Sequence, residues 1–326
     1  MRPVNLYCLT FSACGQLTRI PDAQTIFGAL CTAIRMKDGQ QKLEDYLASF
    51  EEKPWFIHSS MFPKGLFPAA ASPLISLKEL HDSVLSQLTQ NRLSILESIK
   101  STKKYSYMSA SVFQDYYLNG RTDRLLRDLQ NSKIRIIDKD GLGILCKSAE
   151  TNPDPFLIRR VLQTRSGTLS NKVEKDLFYQ EQIFPSRETR FCIYVKSDWP
   201  AEKLRPYFAL LEYVGIGPHR SVGLNLFRLE SIEKSSLSCK AQNEYLLSGC
   251  IPHLDEFDFE KSEYKIDSAL YRGSYSVVRD ALTGSFSRLK EGSLMVPVKK
   301  KEWYGRLIRT EVGGQTLYHY GLGVTV

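Results

Sequence analysis

Gly215-Ile216-Gly217-Pro218-His219-Arg220-Ser221-Val222-Gly223 is the segment whose residue types and spacing come nearest to a binding site. Gly215, Gly217 and Gly223 permit backbone angles and close approaches that other residues resist, while His219, Arg220 and Ser221 carry side chains suited to phosphate oxygens. Chain direction decides which phosphate chemistry is open to it. A Rossmann or P-loop cradle runs from strand through loop into helix and uses the helix amino terminus; this segment leaves a helix, enters a strand and lacks the Gly-Lys-Ser/Thr ending. Nucleotide hydrolysis is therefore disfavoured. Two readings remain open: a loop that holds an RNA backbone, or a glycine-rich helix-to-strand connection with an incidental arginine.

A second cationic feature lies between Lys100 and Lys139, where nine basic residues (Lys100, Lys103, Lys104, Arg121, Arg124, Arg127, Lys133, Arg135, Lys139) face four acidic ones (Asp115, Asp123, Asp128, Asp138). Lys103-Lys104-Tyr105-Ser106-Tyr107 interleaves cations with aromatics, the combination that pairs phosphates and stacks unpaired bases; a solvated helical face is the alternative. Arg159-Arg160, Arg165-Ser166-Gly167-Thr168 and Leu177-Phe178-Tyr179-Gln180-Glu181 read either as a protruding hairpin over about 160–189 or as a long loop. The opposite balance holds at 251–270, where Asp255, Glu256, Asp258, Glu260, Glu263 and Asp267 outnumber Lys261 and Lys265, a surface that repels RNA and suits a protein.

Catalytic and metal chemistry find little support. The five histidines, His58, His81, His219, His253 and His319, show no metal-ligand spacing, and no catalytic set stands out. His58 or His219 is a candidate general base on RNA, but a single histidine with no visible partner reads more readily as a structural or binding residue. The seven cysteines (Cys8, Cys14, Cys31, Cys146, Cys192, Cys239, Cys250) are odd in number and never in Cys-x-x-Cys spacing, which argues against a zinc site and a disulfide framework. They read as buried small hydrophobes. Neither a metal nor a cofactor is expected.

These residues need elements to position them. With 326 residues, 42% hydrophobic and 25% charged, and 44 Lys+Arg against 36 Asp+Glu for a net charge of +8, the chain has the apolar content for a packed core and favours a polyanionic partner. No stretch approaches a membrane helix, so a cytoplasmic location is expected. Residues 4–11 read as a strand, and Pro21-Asp22 starts a helix whose apolar stripe is Ile26, Phe27, Leu30, Ala33 and Ile34. Trp55-Phe56-Ile57 is a short strand. The Pro-rich passage 61–68 reads as an ordered loop, and 76–130 as a charged helical insertion. Residues 190–195 form the next strand, Ser197-Asp198-Trp199-Pro200 starts a helix to about Tyr213, and Leu224–Leu229 is the strand after the glycine segment. Strand, helix, strand, strand, helix, strand is the split βαβ order of an α+β, ferredoxin-like domain. This domain is expected over 1–233, with an inserted segment at about 60–185, and a smaller β-rich domain over 234–326.

Pro21-Asp22-Ala23-Gln24-Thr25-Ile26-Phe27-Gly28-Ala29-Leu30, together with Gly215–Gly223, resembles the paired signatures of the RAMP superfamily of CRISPR-associated RNA-binding proteins. The passage Phe56-Ile57-His58-Ser59-Ser60-Met61-Phe62-Pro63, Lys103-Lys104-Tyr105, Arg165–Glu181 and Tyr320-Gly321 resemble, in the same order, the fourth Csm subunit of type III-A effector complexes. That resemblance implies an RRM-like RAMP domain plus a second ferredoxin-like domain. It also implies a non-catalytic subunit in antiviral defence that grips the 5′ tag of the CRISPR RNA, lies by the target RNA near its 3′ flank, and joins the large polymerase/nuclease subunit to a backbone RAMP subunit. Gly215, Gly217, His219, Arg220, Ser221 and Gly223 would line the RNA, with Lys103, Lys104, Tyr105 and Arg165 as further contacts and the 160–189 hairpin as a thumb. The competing expectations are a metal-independent endoribonuclease that processes precursor RNA, and a protein-only scaffold.

Overall fold

β1 (Asn5–Ala13) buries Tyr7, Leu9 and Phe11 at every second position, the period of a strand with one face on a core. The computed structural model describes residues 3–71, 105–139, 142–150, 156–166, 175–237, 243–272, 282–312 and 314–326. α1 (Ala23–Asp38) follows, with Asp22 as its cap: the carboxylate accepts from the Thr25 amide at 2.9 Å and from the Thr25 hydroxyl at 2.6 Å. Its buried stripe contains Ile26, Phe27, Leu30, Ala33 and Ile34, as the spacing predicts. α2 (Gln40–Glu52) buries only Tyr46.

β2 (Ile57–Pro63) and β3 (Leu66–Pro68) occupy the passage expected to be a loop. Both prolines are tolerated because Pro63 and Pro68 each stand last in their strand, where a missing N–H costs little. β4 (Tyr105–Ser109) likewise replaces an expected helix, because Tyr105 and Met108 are drawn inward between β3 and the strand that follows in space; residues 76–104 lie outside the described residues. A π-helical turn at Phe113–Leu118 and α3 (Leu125–Gln130) lead to β5 (Ile134–Lys139) and β6 (Leu142–Lys147). β7 (Phe156–Ser166) and β8 (Lys175–Pro185) pair in register as a two-stranded antiparallel ribbon.

The chain then returns through β9 (Arg190–Ser197), α4 (Ala201–Ala209), α5 (Leu211–Val214) and β10 (Phe227–Lys234). Pro206 lies inside α4, and Leu204, Phe208, Leu211 and Val214 are all buried. Four strands form one antiparallel sheet in the order β10-β1-β9-β2, and α1, α4 and α5 pack together beside it. A second sheet, β3-β4-β6-β5, leans on the first through Phe67, which stacks on Phe113 at 4.0 Å and reaches Tyr194 of β9 at 5.8 Å.

The remaining strands are β11 (Glu244–Tyr245), β12 (Ile266–Arg272), β13 (Leu282–Leu289), β14 (Leu294–Met295), β15 (Tyr304–Val312) and β16 (Gln315–Gly323). They pair as β11-β14, β12-β13 and β15-β16. Tyr245, Leu247, Leu294, Tyr320, Leu322, Val324 and Val326 enter the same apolar cluster as β1, α1 and β9, so the core is continuous across residue 234. Tyr320 is the deepest link. Its ring stacks on His58 at 4.5 Å and 10°, lies 5.2 Å from Phe27, and its hydroxyl accepts from the His58 amide at 2.8 Å. At the bulge in β2, Ser59 Oγ accepts from the Tyr194 amide at 2.8 Å and the Ser60 amide donates to Leu247 O at 3.0 Å, so side chain and carboxyl-terminal backbone replace the lost ladder bonds. Of the cysteines, Cys146, Cys192 and Cys250 are buried and Cys8 and Cys31 half-buried, but Cys14 is exposed, contrary to expectation; Cys239 lies outside the described residues.

Candidate nucleic-acid interface

The glycine segment begins where α5 stops. Gly215 takes φ +70° and closes the helix, its amide donating to Leu211 O at 2.9 Å; a Cβ there would lie 2.8 Å from Arg220 Cβ. Gly217 takes φ +116°, close against Thr25 of α1. Only glycine accepts both positions without strain. His219 sits in the left-handed region at φ +59°, and Arg220–Val222 make one 3₁₀ turn ended by Gly223. His219, Arg220, Ser221, Val222 and Gly223 are all exposed. Among the described residues the amides of Arg220 and Ser221 have no backbone acceptor, and the Arg220 guanidinium has no ion-pair partner. The exposed Arg220 guanidinium is therefore available to an anion such as a phosphate, with the Ser221 hydroxyl next to it in the chain.

The expected strand at 224–229 starts late, at Phe227, because Asn225 is used as a brace. It lies buried in the left-handed region at φ +58°. Its Oδ1 accepts from the Thr18 amide at 2.8 Å, its Nδ2 donates to Thr18 Oγ1 at 2.9 Å and to Pro218 O, and its amide donates to Gln16 O at 3.1 Å. The loop is thereby tied to residues 16–18, which follow β1. Sequence reasoning missed Asn225; the signal available was that asparagine, beside a glycine loop, is the residue other than glycine that most readily takes this conformation. Asn225→Ala is expected to lower stability by about 1–3 kcal/mol, since it leaves the part-buried Thr18 amide without its acceptor and unties Pro218 O. Asn225→Gly should lose less, because it removes the backbone strain. Urea unfolding of both variants checks this; equal stability of Asn225→Ala and the parent protein would remove the brace.

Leu17, next to this tether, exchanges two backbone hydrogen bonds with Ile183 of β8, at 3.0 and 2.8 Å. The base of the β7–β8 ribbon is thus fixed beside the glycine loop. Arg165 is not: it pairs with Asp176, and positions 176 and 183 are seven residues apart, about 23 Å along the strand at ~3.3 Å per residue. It belongs to the far end of the ribbon. Tyr105 also leaves the set, because its side chain is buried in β4 and burial raises its pKa; stacking on a base is closed to it. Lys103 and Lys104 lie outside the described residues.

Around the loop, Arg19 is exposed and reaches Thr25 Oγ1 at 3.2 Å, and Arg228 is exposed and paired with Glu212 at 2.8 Å. The amino terminus of α1 is already occupied by its cap. Burial works against the Asp22 carboxylate, but hydrogen bonds from Thr25 and the charge of Arg288 outweigh it and hold its pKa below the usual carboxylate range. Arg288 is itself buried and bridges Asp22 and Asp267, each at 3.3 Å. His58 is fully enclosed, and burial pulls its pKa down to about 4, so the ring cannot meet a substrate as a general base and is a structural residue of the core. His219 remains at the surface. Among the described residues no group of three or more His, Cys, Asp or Glu side chains is placed to hold a metal ion, and no helix is long and apolar enough to cross a membrane.

No family model matches the sequence, and no curated protein matches it. Solved structures do match in fold. A chain of the Csm3-Csm4 subcomplex in the type III-A CRISPR-Cas interference complex superposes with a TM-score of 0.61 at 15% identity, covering 98% of each chain. Chains of the Csm1-Csm4 cassette superpose with TM-scores of 0.53 in its complex with pppApA, at 19% identity, and 0.54 with cA3, at 18% identity; both cover 99% of this chain and 97% of the other. Csm4 is the subunit common to these assemblies, and this chain has its fold from end to end.

Proposed function

We propose that this chain is a Csm4-type member of the RAMP superfamily, a non-catalytic RNA-binding subunit of a type III-A CRISPR interference complex. A fold shared over the full length with the subunit common to the Csm1-Csm4 and Csm3-Csm4 assemblies supports this reading. The observation that carries the RNA role is the exposed, braced glycine loop with Arg220 unpaired at its mouth. We read the sheet β10-β1-β9-β2 and its helices as a ferredoxin-like domain over 1–233, and 234–326 as the smaller second domain joined to it through one core.

In this reading Gly215, Gly217, His219, Arg220, Ser221 and Gly223 follow the backbone of the CRISPR RNA 5′ tag, with Lys103, Lys104 and Arg165 as outlying cations. Phosphate contacts supply affinity and contacts to unstacked tag bases supply specificity. The β7–β8 ribbon, anchored at Leu17, is the thumb. The protein partners are the large polymerase/nuclease subunit and a backbone RAMP subunit, with the target RNA near its 3′ flank, all in the cytoplasm.

Purification of a tagged copy from its native host, with sequencing of the RNA and identification of the proteins that accompany it, tests the reading. Short RNAs sharing one 5′ tag in a multi-subunit complex are expected. A chain that emerges alone and cuts precursor RNA in the presence of chelator would establish the endoribonuclease instead. On the same footing, Arg220→Ala is expected to weaken binding of tag RNA by about 1–3 kcal/mol, the scale of a charge-assisted hydrogen bond. A filter-binding titration measures it, and unchanged affinity would remove Arg220 from the site.

A further inference from the structure

The surface beside the glycine loop carries an aromatic ring to which no role has been assigned. Tyr213 lies in α5, two residues before Gly215, and is 78% exposed, the most exposed aromatic side chain among the described residues. Leu211 and Val214 of the same turn are buried, so the helical period holds Tyr213 outward. A tyrosine ring left in water forgoes the burial that usually places it, which makes a partner for its face the natural question. The surroundings indicate what kind. Glu212, the residue before Tyr213, holds Arg228 on the adjacent strand β10 at 2.8 Å. Arg228 lies opposite Ser12 of β1, and the chain continues through exposed Cys14 to Gly15, where a Cβ would stand 3.5 Å from Gly223 O. One surface therefore runs from Tyr213 past Arg228 to Gly223, Ser221 and Arg220, with Val222, 72% exposed, at the loop end.

A cation held beside an exposed ring, next to a loop of anion donors, fits a strand with phosphates at regular intervals and bases that can turn outward. Stacking is indifferent to base identity because every base has a π-face. We propose that Tyr213 is a stacking platform for an unpaired nucleotide of the RNA that crosses the glycine loop, with Arg228 meeting the neighbouring phosphate. This rests on the RNA-binding reading of the loop and adds to it a residue contributing affinity without charge. A protein partner seated on the same ring is the competing outcome.

The test uses the full chain and a short fluorescein-labelled RNA copied from the 5′ end of the host CRISPR RNA, titrated by anisotropy between about 50 and 200 mM salt. Tyr213→Ala should weaken binding about 5- to 150-fold, the range of losing one base–aromatic stack. Tyr213→Phe, which keeps the ring, should bind like the parent. The salt dependence of Tyr213→Ala should match the parent's, while that of Arg220→Ala should become shallower by about 0.7 in log–log slope, because only the latter removes a phosphate contact. Arg220→Ala weakened with Tyr213→Ala unchanged would overturn the stacking role and leave the RNA reading standing. Equal losses in Tyr213→Phe and Tyr213→Ala would also overturn it, since the ring face would then not be what binds. No binding by the parent protein would overturn both.

Discussion

Tyr320→Ala is expected to lose about 3–5 kcal/mol of stability, the scale for emptying a buried aromatic site. Tyr320 is enclosed between β2, α1 and α2, with its ring against His58, Phe27 and Phe50 and its hydroxyl exchanging bonds with the His58 amide at 2.8 Å and the His58 carbonyl at 3.1 Å. Its own amide donates to Gln24 of α1. Truncation therefore leaves a cavity and an unsatisfied buried amide at the contact that joins the two halves of the chain. Tyr320→Phe keeps the ring and should cost only about 1–2 kcal/mol, for the lost hydrogen bond. Urea unfolding followed by tryptophan fluorescence reads both. A loss under about 1 kcal/mol for Tyr320→Ala would mean that the halves are held together elsewhere.

Acid should weaken the fold through His58 before it touches the carboxylates. Burial holds the ring neutral, with its pKa at about 4 against an ordinary value near 6.5, while its Nδ1 faces Ser59 O at 3.2 Å. Because the pKa is depressed on folding, the unfolded chain binds the extra proton first, and stability falls as the pH drops through 6.5 toward 4. The expected loss is about 2 kcal/mol between pH 7.5 and 5 and about 3 kcal/mol by pH 4. Asp22 acts in the same direction but lower, because its pKa lies below the usual carboxylate range and its contribution disappears only as that carboxylate takes up a proton. His58→Phe preserves a ring to stack on Tyr320 and has no proton to gain. Its unfolding free energy should lose most of the dependence between pH 7.5 and 5, and an unaltered slope would exclude His58 as the source.

What could be read in the sequence was local. Asp22 and Thr25 lie three residues apart and cap α1 as their types demand, and the apolar stripe from Ile26 to Ile34 continues the same helix. β9 was visible as an unbroken run of apolar residues, and the glycine loop as a helix-to-strand passage of fixed direction. The features that escaped depend on distant residues. Asn225 is a brace only because Thr18, 207 positions away, supplies its partners. Tyr105 resembled a stacking residue when judged beside Lys103 and Lys104, yet β3 and β6 on either side of β4 draw it inward. Pro63 and Pro68 argued against strands by their type, and only their place at strand ends removes the conflict. Arg165 reads as a phosphate contact by its type, but the register of β7 on β8 puts it at the far end of the ribbon from the Leu17–Ile183 bridge.

The contact between His58 and Tyr320 spans 262 positions of the chain, and that separation sets an order of events during synthesis. A ribosome adds about 5–20 residues per second, so the helices and first strands emerge many seconds before the ring that plugs them. In that interval Phe27, Phe50 and His58 border an unfilled site in a nascent chain still tethered to the ribosome. Closure of the amino-terminal core thus waits until residue 320 has been made, and a chaperone, or a partner subunit that covers the gap, has its opportunity before that residue arrives.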